Sequence, residues 1–350
     1  MMADLLAGWI SPLRLRELGI MGMNRRNISY ISRYNPRHRY PFVDNKLKTK
    51  VVAQKARLRV PDLLHVVETQ HEIESIEGRI KDLAEFVIKP AQGSGGKGIL
   101  VIVGRDGDQY VKSSGARLTL VDIKRHVTNI LSGLHSLGGR PDIVLIEGLV
   151  KVNPYFSSIS YEGVPDIRII VFKGYPVMGM LRLATHASDG KANLHQGAVG
   201  VGIDIATGRS VAAVKHNQLV THHPDTGESL QDLAVPDWKT MLLLASRCYE
   251  VTGLGYLGCD IVVDATKGPL LLELNARPGL SIQIANNQGL LPRLRHVEAL
   301  EDHYLTYEDR VEYVIQHFRH FRDEAADSDP DAPGVAADVA LNTPLTGVSA

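Results

Sequence analysis

The chain has 350 residues, 44% of them hydrophobic, and its 39 lysines and arginines balance its 39 acidic residues. That length and apolar content can bury a large core in two or three lobes, and the zero formal net charge predicts neither nucleic acid nor a membrane surface as a partner. The two cysteines, Cys248 and Cys259, form neither a disulfide framework nor a zinc pattern. With no apolar run of membrane length and no signal peptide at its start, the sequence predicts a soluble cytoplasmic protein.

The first 43 residues depart from this neutral balance. Against only Asp4 and Glu17 stand seven arginines: Arg14, Arg16, Arg25, Arg26, Arg33, Arg37 and Arg39. Asn24 is placed to cap a short helix that Pro36 ends. Such a segment can line a site for an acidic substrate or phosphate, dock an acidic partner, or simply be a solvated face. The sequence leaves these three interpretations open.

Residues 44–83 predict a helix, a strand and a second helix. Asp44 is expected to cap a helix over 45–58, which Pro61 stops. The short apolar run at 63–67 is typical of a strand, and the pattern at 71–83 is typical of a helix.

A glycine-rich loop follows, between two apolar runs at residues 86–90 and 99–103. It consists of Gly93, Ser94, Gly95, Gly96, Lys97 and Gly98. The spacing matches GxGxxG, but the dinucleotide fingerprint requires a helix after the loop, whereas strands are predicted on both sides here. A Walker A motif requires Ser or Thr after Lys97, and the kinase lysine follows its loop, whereas Lys89 precedes this one. Four glycines in six residues exceed the needs of a structural turn, so the sequence favours a hairpin that binds nucleotide phosphates.

The middle and end of the chain alternate between the two element types. Helices are predicted over 118–137, 238–251 and 307–321, and strands over 142–147, 167–172 and 176–183. The first of these strands is expected to continue to Val150, and the other two carry Asp166, Arg168 and Arg182 at or near their ends. From Asp323 onward the Asp-, Ala- and Pro-rich composition predicts disorder.

Near the C-terminal third, two predicted strands joined by a short turn carry three oxygen-bearing side chains. One strand, residues 261–263, begins just after Asp260, and the other carries Glu273 and Asn275, which are two apart and therefore on the same face. Such side chains on adjacent buried strands are costly unless a cation offsets them, and Mg²⁺ is bound by one or two carboxylates plus nucleotide phosphates. The stretch is equally compatible with a solvated hairpin rim that carries ordinary acids.

Taken in order, these motifs resemble the carboxylate–amine ligases of the ATP-grasp superfamily. The motifs are Asp44-Asn45-Lys46, Lys89 with its glycine hairpin, Glu147-Gly148-Leu149-Val150, Asp166-Ile167-Arg168, Arg182, Asn193-Leu194-His195-Gln196-Gly197, Asp260 and Glu273-Leu274-Asn275-Ala276-Arg277-Pro278-Gly279. Within that superfamily the chain is most similar to the alpha-L-glutamate ligase group, the relatives of the enzyme that glutamylates a ribosomal protein. Each motif is common by itself, and the resemblance rests on the whole set in order across residues 44–300.

The resemblance implies an α+β ATP-grasp fold, with two α+β lobes that hold ATP between antiparallel sheets. It divides the chain into a basic N-terminal segment (1–43), an N-lobe with the glycine hairpin (44–150), a C-lobe with the metal site (151–322) and a disordered tail (323–350). ATP-grasp ligases normally carry a whole domain ahead of the first lysine, whereas 45 arginine-rich residues precede Lys46 here.

The resemblance also implies a role for each matching position. The ATP phosphates would be bound by Lys46, Lys89 and the glycine hairpin, Gly93 to Gly98. The hinge that reads the adenine edge through its backbone would be Glu147, Gly148, Leu149 and Val150. Mg²⁺, with Mn²⁺ as an alternative, would be held by Asp260, Glu273 and Asn275. The phosphoryl and acyl groups would be stabilised by Arg168, Arg182 and Asn193, while Arg277 would bind a substrate carboxylate or form a salt bridge.

The implied activity is ATP-dependent amide formation through an acylphosphate, with release of ADP and phosphate. Glutamate or another amino acid would be one substrate and an acidic or peptide molecule the acceptor, and a homo-oligomer is compatible with this function. Phosphoryl transfer depends on positioning and charge neutralisation, so it requires no nucleophilic Ser or Cys. Two alternatives stand beside this one: an ATP-binding scaffold or sensor without turnover, and a basic adaptor that acts through residues 1–43.

Overall fold

The computed structural model describes residues 11–93, 95–136, 138–300 and 306–319, and its fold is α+β with two antiparallel sheets. The strands are β1 (Leu63–Val67), β2 (Phe86–Pro90), β3 (Leu100–Asp106), β4 (Gln109–Lys112), β5 (Arg117–Leu118), β6 (Val144–Glu147), β7 (Asp166–Phe172), β8 (Tyr175–Leu183), β9 (Val199–Ile203), β10 (Ser210–Lys215), β11 (Gln218–Val220), β12 (Tyr256–Asp264) and β13 (Gly268–Asn275). The expected α+β class with antiparallel sheets is therefore confirmed.

The helices surround these sheets in the chain order that follows. They are α1 (Pro12–Glu17), α2 (Met23–Arg25), α3 (Ser32–Tyr34), α4 (Pro41–Asp44), α5 (Lys46–Lys55), α6 (Ile76–Ile80), α7 (Leu120–Leu131), α8 (Pro154–Ser157), α9 (Trp238–Thr252), α10 (Ile282–Ala285), α11 (Leu291–Ala299) and α12 (Tyr307–His317). A π-helical turn, Arg26–Ile31, joins α2 to α3. Within the described ranges, every helix is too short or too polar to span a bilayer.

The chain forms two compact units. The first is built from the described residues of Met1–Tyr40, Val152–Pro269 and Leu274–Ala350. The second is built from Pro41–Lys151 together with Leu270–Glu273.

The second unit contains a six-stranded sheet with the order β1-β6-β2-β3-β4-β5. Its core joins the buried side chains of β2 and β6 to the apolar face of α7, which presents Ile123, Val127 and Ile130. This helix starts at a capping box between Thr119 and Asp122, each of which binds the backbone N–H of the other.

The first unit contains a seven-stranded sheet with the order β11-β10-β9-β8-β7-β12-β13. Strands β8 and β12 are buried along their whole length, which explains their nearly continuous apolar sequences. The N-terminal segment lies on this unit, because the rings of Tyr30 and Tyr34 contact the edge of Phe172 with centroid separations of 5.5 and 4.9 Å. The side chain of Asn35 also exchanges two hydrogen bonds with the backbone of Tyr256. The basic segment is thus partly a packed element and not only a solvated face.

Several predicted elements are confirmed and others have different ends. Strand β1 has the predicted bounds, but the helix expected over 71–83 begins as a 3₁₀ turn, Gln70–Ser75, before α6. The helix expected to reach residue 137 ends at Leu131, because Gly133 takes a left-handed backbone with φ of +86°. The strand expected to continue to Val150 ends at Glu147, where the N–H of Gly148 donates to Asp62 O and leaves the sheet ladder.

Two predicted helix caps are wrong by one or two residues. Asn45, not Asp44, caps α5, since its backbone is extended and its Oδ1 accepts the N–H of Lys48 at 3.1 Å. Gly22, not Asn24, precedes α2, and Asn24 lies inside that helix. Ser94, the predicted tail at 323–350 and the predicted end of the last helix beyond residue 319 lie outside the described residues.

Candidate functional site

The glycine-rich loop of the second unit is a hairpin between β2 and β3, as predicted. Gly95, Gly96 and Gly98 have φ of +63°, +75° and +75°, a left-handed backbone that strains other residues. A Cβ on Gly93 would lie 2.3 Å from Pro90 Cγ, so glycine is required at that position for a steric reason. The exposed loop therefore presents its backbone and Lys97 to the surroundings.

Both ends of this loop are held by side chains that the sequence did not reveal. At the first end, the buried carboxylate of Asp142 accepts the N–H of Gln92 and the hydroxyl of Ser136 at 2.9 Å. At the second end, His126 Nε2 lies 3.0 Å from Gly98 O. Burial lowers the pKa of His126, with a backbone hydrogen bond to Gly98 opposing it, which favours the neutral ring.

Lys46 lies at the start of α5, beside the glycine loop. Its Nζ donates to Gly93 O at 2.6 Å and lies 3.7 Å from Glu273 Oε1. Its backbone N–H donates to Ala91 O. Lys46 is thus joined to the first end of the loop, as a phosphate-binding lysine would require.

Lys89 lies in a buried charge cluster with two other side chains. Its Nζ is 2.8 Å from Glu147 Oε2, and Lys50 Nζ is 2.8 Å from Glu147 Oε1. All three residues are at most 5% exposed. Lys50 was not predicted, although its spacing of four from Lys46 on a helix could have indicated that both lysines share a face.

The predicted hinge begins at this cluster. Glu147 is the last residue of β6, and Gly148, Leu149 and Val150 follow it as half-exposed, non-strand residues. Backbone outside a sheet ladder can hydrogen-bond to a ligand, so the arrangement is compatible with an adenine-reading hinge.

In the first unit, two arginines and two aspartates form a buried network on adjacent strands. Arg168 donates to both oxygens of Asp260, with Nε–Oδ1 and Nη2–Oδ2 distances of 2.7 and 2.6 Å. Arg182 donates to both oxygens of Asp166 and, through Nη2, to Asp260 Oδ2 at 2.8 Å. The sheet register causes this proximity, because Arg168 pairs with Asp260 on β12 and Arg182 pairs with Asp166 on β7.

The network shifts the pKa values of its members in opposite directions. Burial raises the pKa of Asp166 to about 6, although Arg182 opposes the shift. Burial also acts to raise the pKa of Asp260, but the guanidinium groups of Arg168 and Arg182 outweigh it and hold that pKa below its usual range. Burial acts to lower the pKa of Arg182, and the two carboxylates reverse this effect. Both predicted catalytic arginines are therefore rigidly held cations.

The remaining predicted residues lie on loops and strand ends. Asn193 precedes a 3₁₀ turn, Leu194–Gln196, and its Oδ1 accepts the N–H of His195 at 3.1 Å. Asn275 Oδ1 accepts the N–H of Arg277 at 2.8 Å. The exposed guanidinium of Arg277 lies over the ring of Tyr40, 5.6 Å from its centroid.

The donors predicted for Mg²⁺ have the appropriate chemistry. An ionised carboxylate can accept about four hydrogen bonds, and Asp260 uses three of these positions for its arginines. Glu273 is half-exposed, with Lys46 as an ion-pair partner. Among the described residues, no group of three His, Cys, Asp or Glu side chains could hold a metal. A site made of two carboxylates and Asn275 falls outside that criterion, so it stays a prediction.

One contact connects the N-terminal segment to the loop after β13. Arg26 Nη1 donates to Pro278 O at 2.9 Å, which brings this arginine beside Arg277. Burial lowers the pKa of Arg26, and the charge of Arg277 lowers it further. Two cations held together in this way favour an anionic ligand.

Comparison with known proteins identifies the fold family. The model of a family described as sugar-transfer associated ATP-grasp matches residues 25–299. No curated protein matches the chain. The ATP-grasp ligase PsnB complexed with minimal precursor, Mg and ADP is similar in structure, with 14% identity, 76% of this chain and 61% of that chain covered, and a TM-score of 0.42. D-alanyl-alanine synthetase A from Vibrio cholerae O1 biovar eltor is similar over 80% and 66% of the two chains, with 11% identity and a TM-score of 0.43. The chain thus spans about three fifths of the length of PsnB.

Proposed function

The chain belongs to the sugar-transfer associated ATP-grasp family, and from this premise we propose that it is an ATP-dependent carboxylate–amine ligase. Glutamate or another amino acid is one substrate, and an acidic or peptide molecule is the acceptor, as in the alpha-L-glutamate ligase group that the motifs resemble. The products are an amide, ADP and phosphate.

The observation that carries the proposal is the joining of the glycine hairpin to a lysine. Lys46 Nζ lies 2.6 Å from Gly93 O, so its ammonium group is held at the base of an exposed loop of left-handed glycines. Backbone N–H groups in a glycine loop and a neighbouring lysine are the groups that cradle nucleotide phosphates. Lys89, at the end of β2, supplies a second cation in the same unit.

The chemistry proceeds in two balanced steps. A carboxylate oxygen of the acid attacks the γ-phosphorus of ATP, the bond to the β–γ bridging oxygen breaks, and ADP leaves with its electron pair. The amine nitrogen then attacks the acyl carbon, phosphate leaves, and the amine proton passes to phosphate or water. Lys46, Lys89 and the glycine hairpin hold the phosphates, while Arg168, Arg182 and Asn193 neutralise the charge on the transferred groups. Arg277 orients a substrate carboxylate.

Three side chains are proposed to hold Mg²⁺ or Mn²⁺: Asp260, Glu273 and Asn275. The bound cation would neutralise the phosphate oxygens. Their oxygen donors suit a hard cation.

The experiment is a measurement of ADP release with candidate amino acids and peptides, with hydroxylamine present to trap an acylphosphate. Glu273→Gln should abolish ADP release, because it removes one carboxylate charge while keeping the side-chain shape. It should leave the melting temperature nearly unchanged, since the half-exposed ion pair with Lys46 contributes about 0–1 kcal/mol. Glu74→Gln is the matched control, because Glu74 is an exposed acid of the same unit that pairs with Lys124.

Three outcomes would contradict the proposal. Unchanged ADP release by Glu273→Gln would refute the metal assignment. Formation of AMP and pyrophosphate would refute γ-phosphoryl transfer. Nucleotide binding without turnover, over a broad substrate screen, would favour the scaffold or sensor instead.

A further inference from the structure

The buried cluster of Lys50, Lys89 and Glu147 contains one more lysine than the resemblance to ATP-grasp ligases assigns. Lys50 comes from α5, Lys89 from β2 and Glu147 from the end of β6. The sheet register places Lys89 opposite Leu145, two residues before Glu147, so Lys89 and Glu147 share one face of the sheet. Lys50 reaches the same carboxylate from the helix.

The two lysines differ in how firmly they are held. Lys50 Nζ contacts Glu147 Oε1 at 2.8 Å and also donates to Pro61 O, so two fixed acceptors hold it. Lys89 Nζ contacts Glu147 Oε2 at 2.8 Å. An ammonium group has three N–H donors, so Lys89 retains donors for a further anion while it keeps this contact.

The charges in this cluster are not balanced. Two ammonium groups face one carboxylate, and all three side chains are buried. Burial lowers the pKa of Lys50 to about 8, Glu147 opposes this shift, and the charge of Lys89 adds to it. The cluster therefore carries an excess positive charge that an additional anion would stabilise.

We propose that Lys50 is a positioning residue for nucleotide binding, because it keeps Glu147 paired when Lys89 directs its ammonium group to an ATP phosphate. This inference rests on the proposed function. A buried carboxylate that loses its partner is strongly destabilising, so with Lys89 as its only partner Glu147 would hold that lysine back. Lys50 removes this cost, and Lys89 is then available to the phosphate.

The experiment measures the Kd of ADP and of ATP with Mg²⁺ by calorimetry at pH 7, without any substrate. Lys50→Met should weaken both affinities by ~10- to 100-fold, the equivalent of one hydrogen bond to a charged group at about 1.5–3 kcal/mol. The variant should fold, because the remaining Lys89–Glu147 pair is neutral. Lys55→Met, on the exposed end of the same helix, is the control and should bind as the wild type does.

A second variant separates this role from a merely structural one. Lys50→Met with Glu147→Gln removes the carboxylate that holds Lys89 back, so the double variant should recover most of the lost affinity. If the double variant binds no better than Lys50→Met, or if Lys50→Met binds as the wild type does, the inference is overturned.

The pH dependence gives an independent measurement. Lys50 faces Glu147, Lys89 and Asp62, and it loses its proton as the pH rises through about 8. The ratio of the Lys50→Met Kd to the wild-type Kd should therefore fall toward one between pH 7 and pH 9.5. A ratio that stays constant over this range would overturn the inference. Absence of ADP binding by the wild type would overturn the proposed function itself, and this inference with it.

Discussion

Removal of Arg182 should destabilise the first unit more than removal of its neighbour Arg168. Arg182→Met deletes the described partner of Asp166, which is 7% exposed. Arg168→Met deletes two hydrogen bonds to Asp260, but Asp260 keeps its bond from Arg182. The two substitutions remove the same charge from adjacent strands, and they differ in whether a buried carboxylate is left alone.

The expected magnitudes follow from this difference. A buried ion pair that loses one partner costs about 3–5 kcal/mol. The lower end applies to Arg182→Met, because Asp166 already has its pKa raised to about 6 by burial and can take up a proton instead of remaining charged. Arg168→Met should cost about 1.5–3 kcal/mol, the value for hydrogen bonds to a charged group. Replacing both partners, as in Arg182→Met with Asp166→Asn, should recover about 2 kcal/mol.

The assay is thermal and urea unfolding at pH 8, where Asp166 is largely ionised in the wild type. With about 2–4 °C for each kcal/mol in a domain of this size, Arg182→Met should lower the melting temperature by about 6–12 °C. Equal losses for the two arginine variants, or no recovery by Asp166→Asn, would refute the argument that the unpaired Asp166 causes the loss.

Two further predictions concern the ligand sites. Changing Arg25 and Arg26 together to Ala should raise the KM for the acceptor more than the KM for ATP, because Arg26 is held beside Arg277 through Pro278 O; steady-state kinetics would measure this, and a change in stability alone would show that the segment is structural. Gly93→Ala should weaken ADP binding by ~10-fold with the fold retained, since its Cβ would meet the rigid ring of Pro90 at 2.3 Å and displace the loop; unchanged affinity in calorimetry would contradict the role of this loop.

The glycine hairpin was predictable because its signal is local. Two apolar runs and a loop of closely spaced glycines specify strand, turn and strand without any distant partner, and the structure has β2 and β3 at these places. The same reasoning failed at element ends. Whether Asp44 or Asn45 caps α5 depends on the turn of the chain at α4, and Gly148 leaves the β6 ladder because Asp62 offers it an acceptor.

The order of motifs along the chain was sufficient to identify the superfamily. Residues 25–299 match a sugar-transfer associated ATP-grasp family model, and the finer assignment to the alpha-L-glutamate ligase group stays a prediction. Sequence order carries this information because each motif is a short segment whose backbone shape is specified by its own residues.

The sequence by itself therefore determined the element types, the α+β class and the candidate ligand groups, because periodicity and glycine spacing act over a few residues. Only the tertiary structure decided which of these groups touch. The pairs Lys50–Glu147 and Arg168–Asp260 join residues 97 and 92 positions apart, and their contact depends on strand order and register. Burial then decides their charge, since the pKa of a group depends on the partners and the solvent that the fold leaves to it.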